Sequence, residues 1–351
     1  MAILTTTLGA FPKPDYVPVI DWFRDQAGPD TAVPTETYEE ALRAMGDKAE
    51  AVFARAARDV LADQEVAGID IPTDGEVRRE NYIHYHCRHL DGIDFTRLTE
   101  KALRGGAYSA RLPTVTGWVR AGAPFLVDDW QVAQSFTTRP LKVTLPGPMT
   151  ITDTVADDHY GDARRLGADL AAALNAEILA LAGAGVRHIQ VDEPVFARKT
   201  DAALDFGFDN LERCFHGVDA AVERGVHMCC GYPDRLDNPD YPKAPKEAYF
   251  DLAAAIDRSS IQAISIEDAH RANDLTLLEA FAETTVILGV VAVAKSRVES
   301  VDEIAARLQE ALGHIDADRL IAAPDCGLGL LDRDRAVAKL TAMVEAAHQV
   351  G

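Results

Sequence analysis

Residues 226–231 read Val-His-Met-Cys-Cys-Gly, a short apolar run that carries two types of metal-binding side chain and stops at a glycine. This pattern is typical of the end of a buried β-strand. Successive side chains of a strand point to opposite faces, so His227 and Cys229 are predicted to project from the same face. Imidazole and thiolate are both common zinc ligands. Alone, the pair is weak evidence for a metal site, because such pairs often occur by chance and free cysteine is among the most buried residue types.

Similar apolar runs recur along the chain and mostly alternate with helical patterns. Nearly continuous apolar runs are typical of parallel strands that are covered on both faces. Their alternation with helices predicts an α/β fold of the (β/α)8 TIM-barrel type. The irregular stretch 81–136 predicts a β-hairpin insertion with a Gly-rich turn between strands 2 and 3, and the absence of a linker predicts one domain over residues 1–351. The predicted strands are 3–8, 69–73, 141–145, 187–191, 225–229, 261–266, 285–291 and 320–323.

Composition excludes several classes of function. The 351 residues carry a net charge of -21, which would repel nucleic-acid phosphates and anionic membrane surfaces. We find neither an apolar run of transmembrane length nor a secretory signal pattern at residues 1–5. The five cysteines do not suggest a disulfide framework. We therefore expect a cytoplasmic protein with reduced thiols and no nucleic-acid or membrane partner.

Polar side chains that can bind a metal or take part in catalysis follow the predicted strands at their carboxyl ends, where the active site of such a barrel lies. A catalytic zinc takes about three protein ligands and leaves one position open. His227, Cys229 and Cys326 would supply three ligands, and Glu267 would fill the fourth position until substrate arrives. The residues at these strand ends are Glu76, Asp192, Glu193, His227, Cys229, Glu267, Asp268 and Cys326.

A zinc ion with two thiolate ligands suits the activation of a thiol better than the activation of water. A free thiol is mostly protonated at neutral pH, and coordination to zinc removes that proton. The resulting thiolate is a nucleophile for an electrophilic carbon. The predicted ligand set therefore favours alkyl transfer to sulfur.

The chain resembles the catalytic half of cobalamin-independent methionine synthase over essentially its whole length. The resemblance implies a zinc-dependent methyltransferase that forms methionine from homocysteine, with zinc on His227, Cys229, Glu267 and Cys326. The motifs that carry it are Thr-Thr-Thr-Leu-Gly-Ala-Phe-Pro at 5–12, Asp-Gly-Glu at 74–76, Leu-Pro-Gly-Pro-Met-Thr at 145–150, Gln-Val-Asp-Glu-Pro at 190–194, His-Met-Cys at 227–229, Ser-Ile-Glu at 265–267 and Pro-Asp-Cys-Gly-Leu at 324–328.

The same resemblance implies the residues that hold the amino acid. Glu76 and Asp192 would bind the amino group of homocysteine, with Gly9 and Ala10 beside the substrate; Ala10 replaces a serine that is usual in the family. The folate-stacking aromatic residue is missing from residues 150–154, and the histidine expected to protonate the departing folate is missing from 291–295. We therefore expect a donor other than a folate, such as a methylated corrinoid protein.

Two alternative functions remain open at the level of sequence. The superfamily also contains epoxyalkane:coenzyme M transferase, in which zinc activates the thiol of coenzyme M. Glu76 and Asp192 favour an amino-acid thiol instead, because coenzyme M has no ammonium group. The second alternative is a non-catalytic zinc- or corrinoid-binding partner.

Three histidines, His84, His86 and His89, are close together but lie in the irregular stretch. We expect a solvated or rim-facing loop there, with contact to substrate as an option, rather than a metal cluster.

Overall fold

Strands and helices alternate through the part of the chain that the computed structural model describes, namely residues 3–19, 32–103, 108–231, 235–239 and 241–351. The α/β class is therefore confirmed. The strands are β1 (Leu4–Thr5), β2 (Leu90–Leu103), β3 (Tyr108–Ala121), β4 (Lys142–Pro146), β5 (Ala156–Asp157), β6 (His188–Asp192), β7 (Glu223–Met228), β8 (Ala263–Ile266), β9 (Thr285–Val291) and β10 (Leu320–Pro324).

The central sheet has seven parallel strands in the order β1-β10-β9-β8-β7-β6-β4. Its strands are short and apolar, as a parallel sheet covered by helices requires. All seven carboxyl ends point the same way, so the residues that follow them lie at one edge of the sheet.

The second predicted strand, 69–73, is reduced to two isolated bridges. Ile71 pairs in parallel with Thr6, next to β1, and Thr73 pairs in parallel with Lys142 of β4. Pro72 lies between them and has no N–H to donate to a ladder, although its carbonyl accepts from Lys142 N at 2.9 Å. The segment thus contacts both edges of the seven-stranded sheet.

An antiparallel pair lies where the sequence predicts the hairpin insertion. β2 and β3 pair from Leu90↔Ala121 to Leu103↔Tyr108, and β5 joins β3 in parallel. The predicted Gly-rich turn falls on residues 104–107 and lies outside the described residues.

Helices follow most strands and cover the sheet. Short 3₁₀ turns occupy Gly46–Lys48, Leu275–Ala280 and Ala317–Arg319, and a π-helical turn occupies Ala203–Gly207. The helices are α1 (Ala32–Met45), α2 (Ala49–Ala67), α3 (His84–Cys87), α4 (Leu126–Gln134), α5 (Pro148–Thr154), α6 (Ala163–Ala184), α7 (Pro194–Arg198), α8 (Thr200–Ala202), α9 (Phe208–Cys214), α10 (Ala248–Asp257), α11 (Val301–Ala311) and α12 (Arg333–Val350).

Helix α6 alone among the described helices is long and apolar enough to cross a membrane. Half of its most apolar window is buried inside the protein. Leu170, Leu174, Ile178 and Leu181 form that buried face, which packs in the main hydrophobic core. A buried helix of a core passes the same test of length and composition, so α6 does not by itself indicate a membrane span.

The expectation of a solvated loop at the three histidines is wrong for two of them. His84 and His86 are each 1% exposed and belong to α3. His84 Nδ1 bonds Thr35 Oγ1 at 2.8 Å, and His86 Nδ1 bonds the Tyr82 carbonyl at 2.8 Å. His89 is partly exposed and stacks on Phe125 with 3.8 Å between ring centroids. Aromatic packing therefore covers this segment.

Candidate metal centre and thiol site

Three neighbouring strands align polar side chains at one level of the sheet. Asp192 of β6 is in register with His227 of β7, which is in register with Ser265 of β8. Side chains of adjacent parallel strands in register project side by side. A histidine therefore has a carboxylate on one flank and a hydroxyl on the other.

His227, Cys229 and Cys326 come together although 97 residues or more separate Cys326 from the other two. Their potential ligand atoms all lie within 4.8 Å of one another. His227 Nδ1 bonds Ser265 Oγ at 3.0 Å, and the buried Nε2 has no hydrogen-bond partner among the described residues. A buried polar atom normally has a partner, so this free nitrogen beside two sulfurs indicates a ligand-binding position.

The two sulfurs are electrostatically unequal. A hydrogen bond from Cys326 lowers the pKa of Cys229 well below its usual range, and His227 lowers it further. The same hydrogen bond raises the pKa of Cys326. Cys229 is buried, whereas Cys326 is partly exposed. The geometry thus favours a thiolate at Cys229 and keeps one face of the pair open.

Glu267, the predicted fourth ligand, has protein partners of its own. Its carboxylate accepts from Lys243 Nζ and, at 3.1 Å, from the amide of Cys230. Its oxygens group with His270 and Asp325 rather than with the three donors around His227. Glu267 therefore lies next to the site but is not one of the three clustered donors, His227, Cys229 and Cys326.

The second group, Glu267, His270 and Asp325, has little capacity for a metal. His270 Nδ1 bonds Asp325 Oδ2 at 2.6 Å, and His270 Nε2 accepts from Ala294 N at 3.1 Å. Both ring nitrogens are therefore engaged. Asp325 also accepts from the amides of residues 268–270 at 2.7–2.9 Å. These bonds fix the position of the strand end that carries Cys326.

Glu76 is 6% exposed and is held in a left-handed backbone conformation with φ of +55°. Its Oε1 accepts from Thr144 Oγ1 at 2.7 Å and from Arg79 Nη1 at 3.0 Å. A Cβ at Gly9 would lie 2.6 Å from that oxygen, so glycine is needed there. Burial raises the pKa of Glu76 to about 7, and the charge of Arg79 opposes that rise.

Asp192, the second predicted amino-group ligand, is 5% exposed. Its Oδ1 accepts from Gln190 Nε2 at 2.7 Å. Burial raises the pKa of Asp192 to about 6, and His227 is the largest of the effects that lower it. Asp192 acts electrostatically on Glu76 as well, so the two carboxylates share one environment.

Ala10 lies against the loop that carries Cys326. Its carbonyl accepts from Leu328 N at 2.6 Å, and a Cβ at Gly327 would lie 3.0 Å from the Ala10 Cβ. Gly9 and Ala10 therefore bridge the space between Glu76 and the cysteine loop.

Several groups that shape the site have roles that the sequence alone does not reveal. Ser265 and Asp325 lie inside motifs, but their roles depend on contacts across strands. Arg79 and Lys142 resemble ordinary surface cations in the sequence, yet they are only 3% and 4% exposed. Only the convergence of distant strands reveals these groups.

Glu193 is not directed to the site. It is completely buried and accepts from Met149 N and Thr150 N at 2.9 Å and from Thr150 Oγ1 at 2.7 Å. A Cβ at Gly147 would lie 2.2 Å from this carboxylate. Glu193 therefore caps the start of α5 by accepting from amides of its first turn, which have no partner within the helix.

The donor types fit zinc. Two sulfurs and one imidazole nitrogen match the set found in catalytic zinc sites with Cys₂His ligation. The bond from Nδ1 to Ser265 fixes the ring so that Nε2 faces the sulfurs, which is the usual support of a metal-binding histidine.

Comparison with known proteins identifies the family of the chain. The family described as "Cobalamin-independent synthase, Catalytic domain" matches residues 3–349. Methionine synthases of Sulfolobus acidocaldarius and Saccharolobus solfataricus are 30% and 32% identical, each over 97% of this chain and over 90% and 92% of their own lengths. The structure of a B12-independent methionine synthase from Shewanella sp. W3-18-1 in complex with selenomethionine has a TM-score of 0.87 and 32% identity, and the match covers 100% of this chain and 98% of that one. The chain therefore belongs to the family of cobalamin-independent synthase catalytic domains.

Proposed function

We propose that this protein is a zinc-dependent methyltransferase that converts homocysteine to methionine. One observation carries the proposal: the donor atoms of His227, Cys229 and Cys326 converge at the edge of the sheet that also holds Glu76 and Asp192, and His227 Nε2 has no hydrogen-bond partner within the described part of the chain. The names of the relatives support the same activity.

We further propose that the chain is one domain and that its sheet closes into an eight-stranded barrel. The segment around Ile71 and Thr73 bonds to both edges of the seven-stranded sheet. β1, near the start of the chain, pairs with β10, near its end. Closure would bring Glu76, at the end of the bridging segment, around to the other strand ends.

His227, Cys229 and Cys326 would hold the zinc, with Glu267 as an additional ligand before substrate binds. A bound zinc ion supplies the chemistry of thiol deprotonation at neutral pH. Cys326 is the partly exposed member of the set, so substrate would approach from its side. Lys243 neutralises Glu267, which favours a carboxylate that can be displaced.

Glu76 and Asp192 would bind the ammonium group of homocysteine. Both carboxylates are more than nine-tenths buried, and a buried charge needs a partner. An ammonium group between them offers one. The thiol sulfur of the same molecule would then point to the cysteine pair.

Methyl transfer requires a nucleophilic sulfur in line with an electrophilic methyl carbon. A new bond forms between sulfur and the methyl carbon while the bond between that carbon and the donor breaks, and its electron pair leaves with the donor. The proton lost by the thiol passes to solvent. We propose a donor other than a folate, because residues 150–154 and 291–295 lack the aromatic and histidine side chains that folate chemistry uses in the family.

An assay panel tests the proposal. The purified zinc protein is offered homocysteine or coenzyme M, each with methylfolate, methylcobalamin or epoxypropane. We expect methionine from homocysteine and methylcobalamin. Turnover with coenzyme M and epoxypropane alone would refute the proposed activity.

A matched pair of variants tests the site. Cys326→Ala removes a predicted ligand, whereas Cys87→Ala removes a fully buried thiol outside the set. We expect the first variant to lose zinc and thiol alkylation together and the second to keep both. Full alkylation by a zinc-free Cys326→Ala protein would contradict the mechanism.

A further inference from the structure

Arg79 is a buried cation that contacts Glu76, one of the two carboxylates of the proposed amino-group site. It is 3% exposed and lies three residues after Glu76. Its Nη1 donates to Glu76 Oε1 and to Thr144 Oγ1, each at 3.0 Å, and its Nη2 donates to the Thr144 carbonyl at 3.0 Å. A guanidinium that makes several hydrogen bonds has little rotational freedom, so the Arg79 side chain is held in one position beside Glu76.

The contacts on the Glu76 carboxylate are unevenly distributed. Oε1 accepts from both Arg79 and Thr144, and Gly9 leaves room for it on the opposite side. Oε2 makes no hydrogen bond with any described residue. One oxygen is thus fixed by the protein, and the other remains for a ligand.

Arg79 is the cation that pairs with Glu76, whereas His227 and Lys142 act electrostatically on Asp192. The ion pair with Arg79 favours the ionised form of Glu76, which is the form that binds an ammonium group. Burial raises the pKa of Glu76 to about 7 even with Arg79 in place, so loss of that cation would favour the protonated, neutral form.

We propose that Arg79 is a positioning residue that sets the specificity of the site for thiols bearing an amino group, by holding Oε1 of Glu76 and leaving its other oxygen for the ammonium. The inference rests on the proposed function in taking an amino-acid thiol as the ligand. Arg79 acts through Glu76 and does not touch the substrate.

Binding measurements on the zinc protein test this role without requiring turnover. Calorimetry compares homocysteine with 4-mercaptobutanoate, which keeps the thiol and the carboxylate but lacks the amino group. We expect Arg79→Met to weaken homocysteine binding roughly 10- to 100-fold, the size of a lost charged hydrogen bond. We expect 4-mercaptobutanoate binding to change by no more than about 2-fold, because it makes no contact with the ammonium site.

Two further variants separate positioning from folding. Arg79→Lys keeps the charge but not the forked geometry, and should recover part of the preference for homocysteine. Arg78→Met is the matched control, since Arg78 is the adjacent residue and pairs with Glu50 and Asp129 instead. We expect Arg78→Met to leave the preference for homocysteine unchanged.

An equal loss of affinity for both thiols in Arg79→Met, or an unchanged affinity for homocysteine, would overturn the role of Arg79. A wild-type protein without preference for homocysteine would overturn it too. Wild-type protein that binds homocysteine selectively but transfers no methyl group from any donor would refute the proposed function instead. The ratio of the affinities for homocysteine and 4-mercaptobutanoate would still test the role of Arg79.

Discussion

Replacing Lys142 with methionine should make the protein more stable. Lys142 is 4% exposed, and its Nζ has no hydrogen-bond partner among the described residues. Burial lowers the pKa of Lys142 from 10.5 to about 8, against the weaker opposing effects of Glu223 and Asp192. The folded protein therefore holds this charge at a cost, and an apolar side chain of similar length removes that cost.

The magnitude follows from the size of the shift. A difference of about 2.5 pKa units, at about 1.4 kcal/mol for each unit, corresponds to about 3 kcal/mol at pH 7. Between pH 8 and 10.5 the folded state has released the proton while the unfolded state still binds it. The stability of the wild type therefore rises with pH in that window, and the advantage of Lys142→Met should shrink there.

Urea unfolding of both proteins at pH 7 and at pH 9.5 measures the effect. The matched control is Lys339→Met, since Lys339 is fully buried but pairs with Glu299 at 2.7 Å and donates to the Ala292 carbonyl at 3.1 Å. Loss of that cation leaves the buried Glu299 carboxylate without its ion-pair partner and should destabilise the protein. A Lys142→Met protein that is less stable than wild type at pH 7, or an advantage independent of pH, would refute the reasoning.

Three other perturbations probe the site. Ser265→Ala removes the bond that orients His227, so zinc affinity in a chelator competition should fall by about 10-fold, and an unchanged affinity would exclude this support. Gly289→Ala would place a Cβ 2.3 Å from Asp325 Oδ1, so both thermal stability and zinc content should fall; retention of both would show that the loop adapts. Homocysteine affinity should increase as pH rises through about 7, where Glu76 loses its proton. A Glu76→Gln variant should not show this increase.

The sequence predicted most strands of the seven-stranded sheet well because their apolar runs are short and bounded by glycine, proline and acidic residues, but the predicted strand 3–8 is reduced to Leu4–Thr5. The eighth and last predicted strand, 320–323, is β10 with one residue more. The segment 69–73 was harder, since Pro72 interrupts its ladder and leaves only bridges. Local pattern cannot show whether such a segment pairs with its neighbours.

The convergence of His227, Cys229 and Cys326 was predictable because all three follow or end strands of one parallel sheet, whose carboxyl ends lie at the same edge. The supporting groups were not. The contact between Arg79 and Thr144 joins residues 65 positions apart, and in sequence Arg79 is one charged residue among several. The expectation for His84 and His86 was wrong because their irregular stretch suggested a loop, although aromatic contacts and hydrogen bonds, some to residues distant in sequence, bury them.

Zinc K-edge X-ray absorption on the purified protein tests the central claim most directly. We predict one zinc ion with two sulfur ligands at about 2.3 Å and a histidine nitrogen at about 2.0 Å. Cys326→Ala should reduce the sulfur count to one or abolish binding. Zinc bound without sulfur ligands, or a spectrum unchanged by Cys326→Ala, would contradict the assignment of His227, Cys229 and Cys326 as the metal centre.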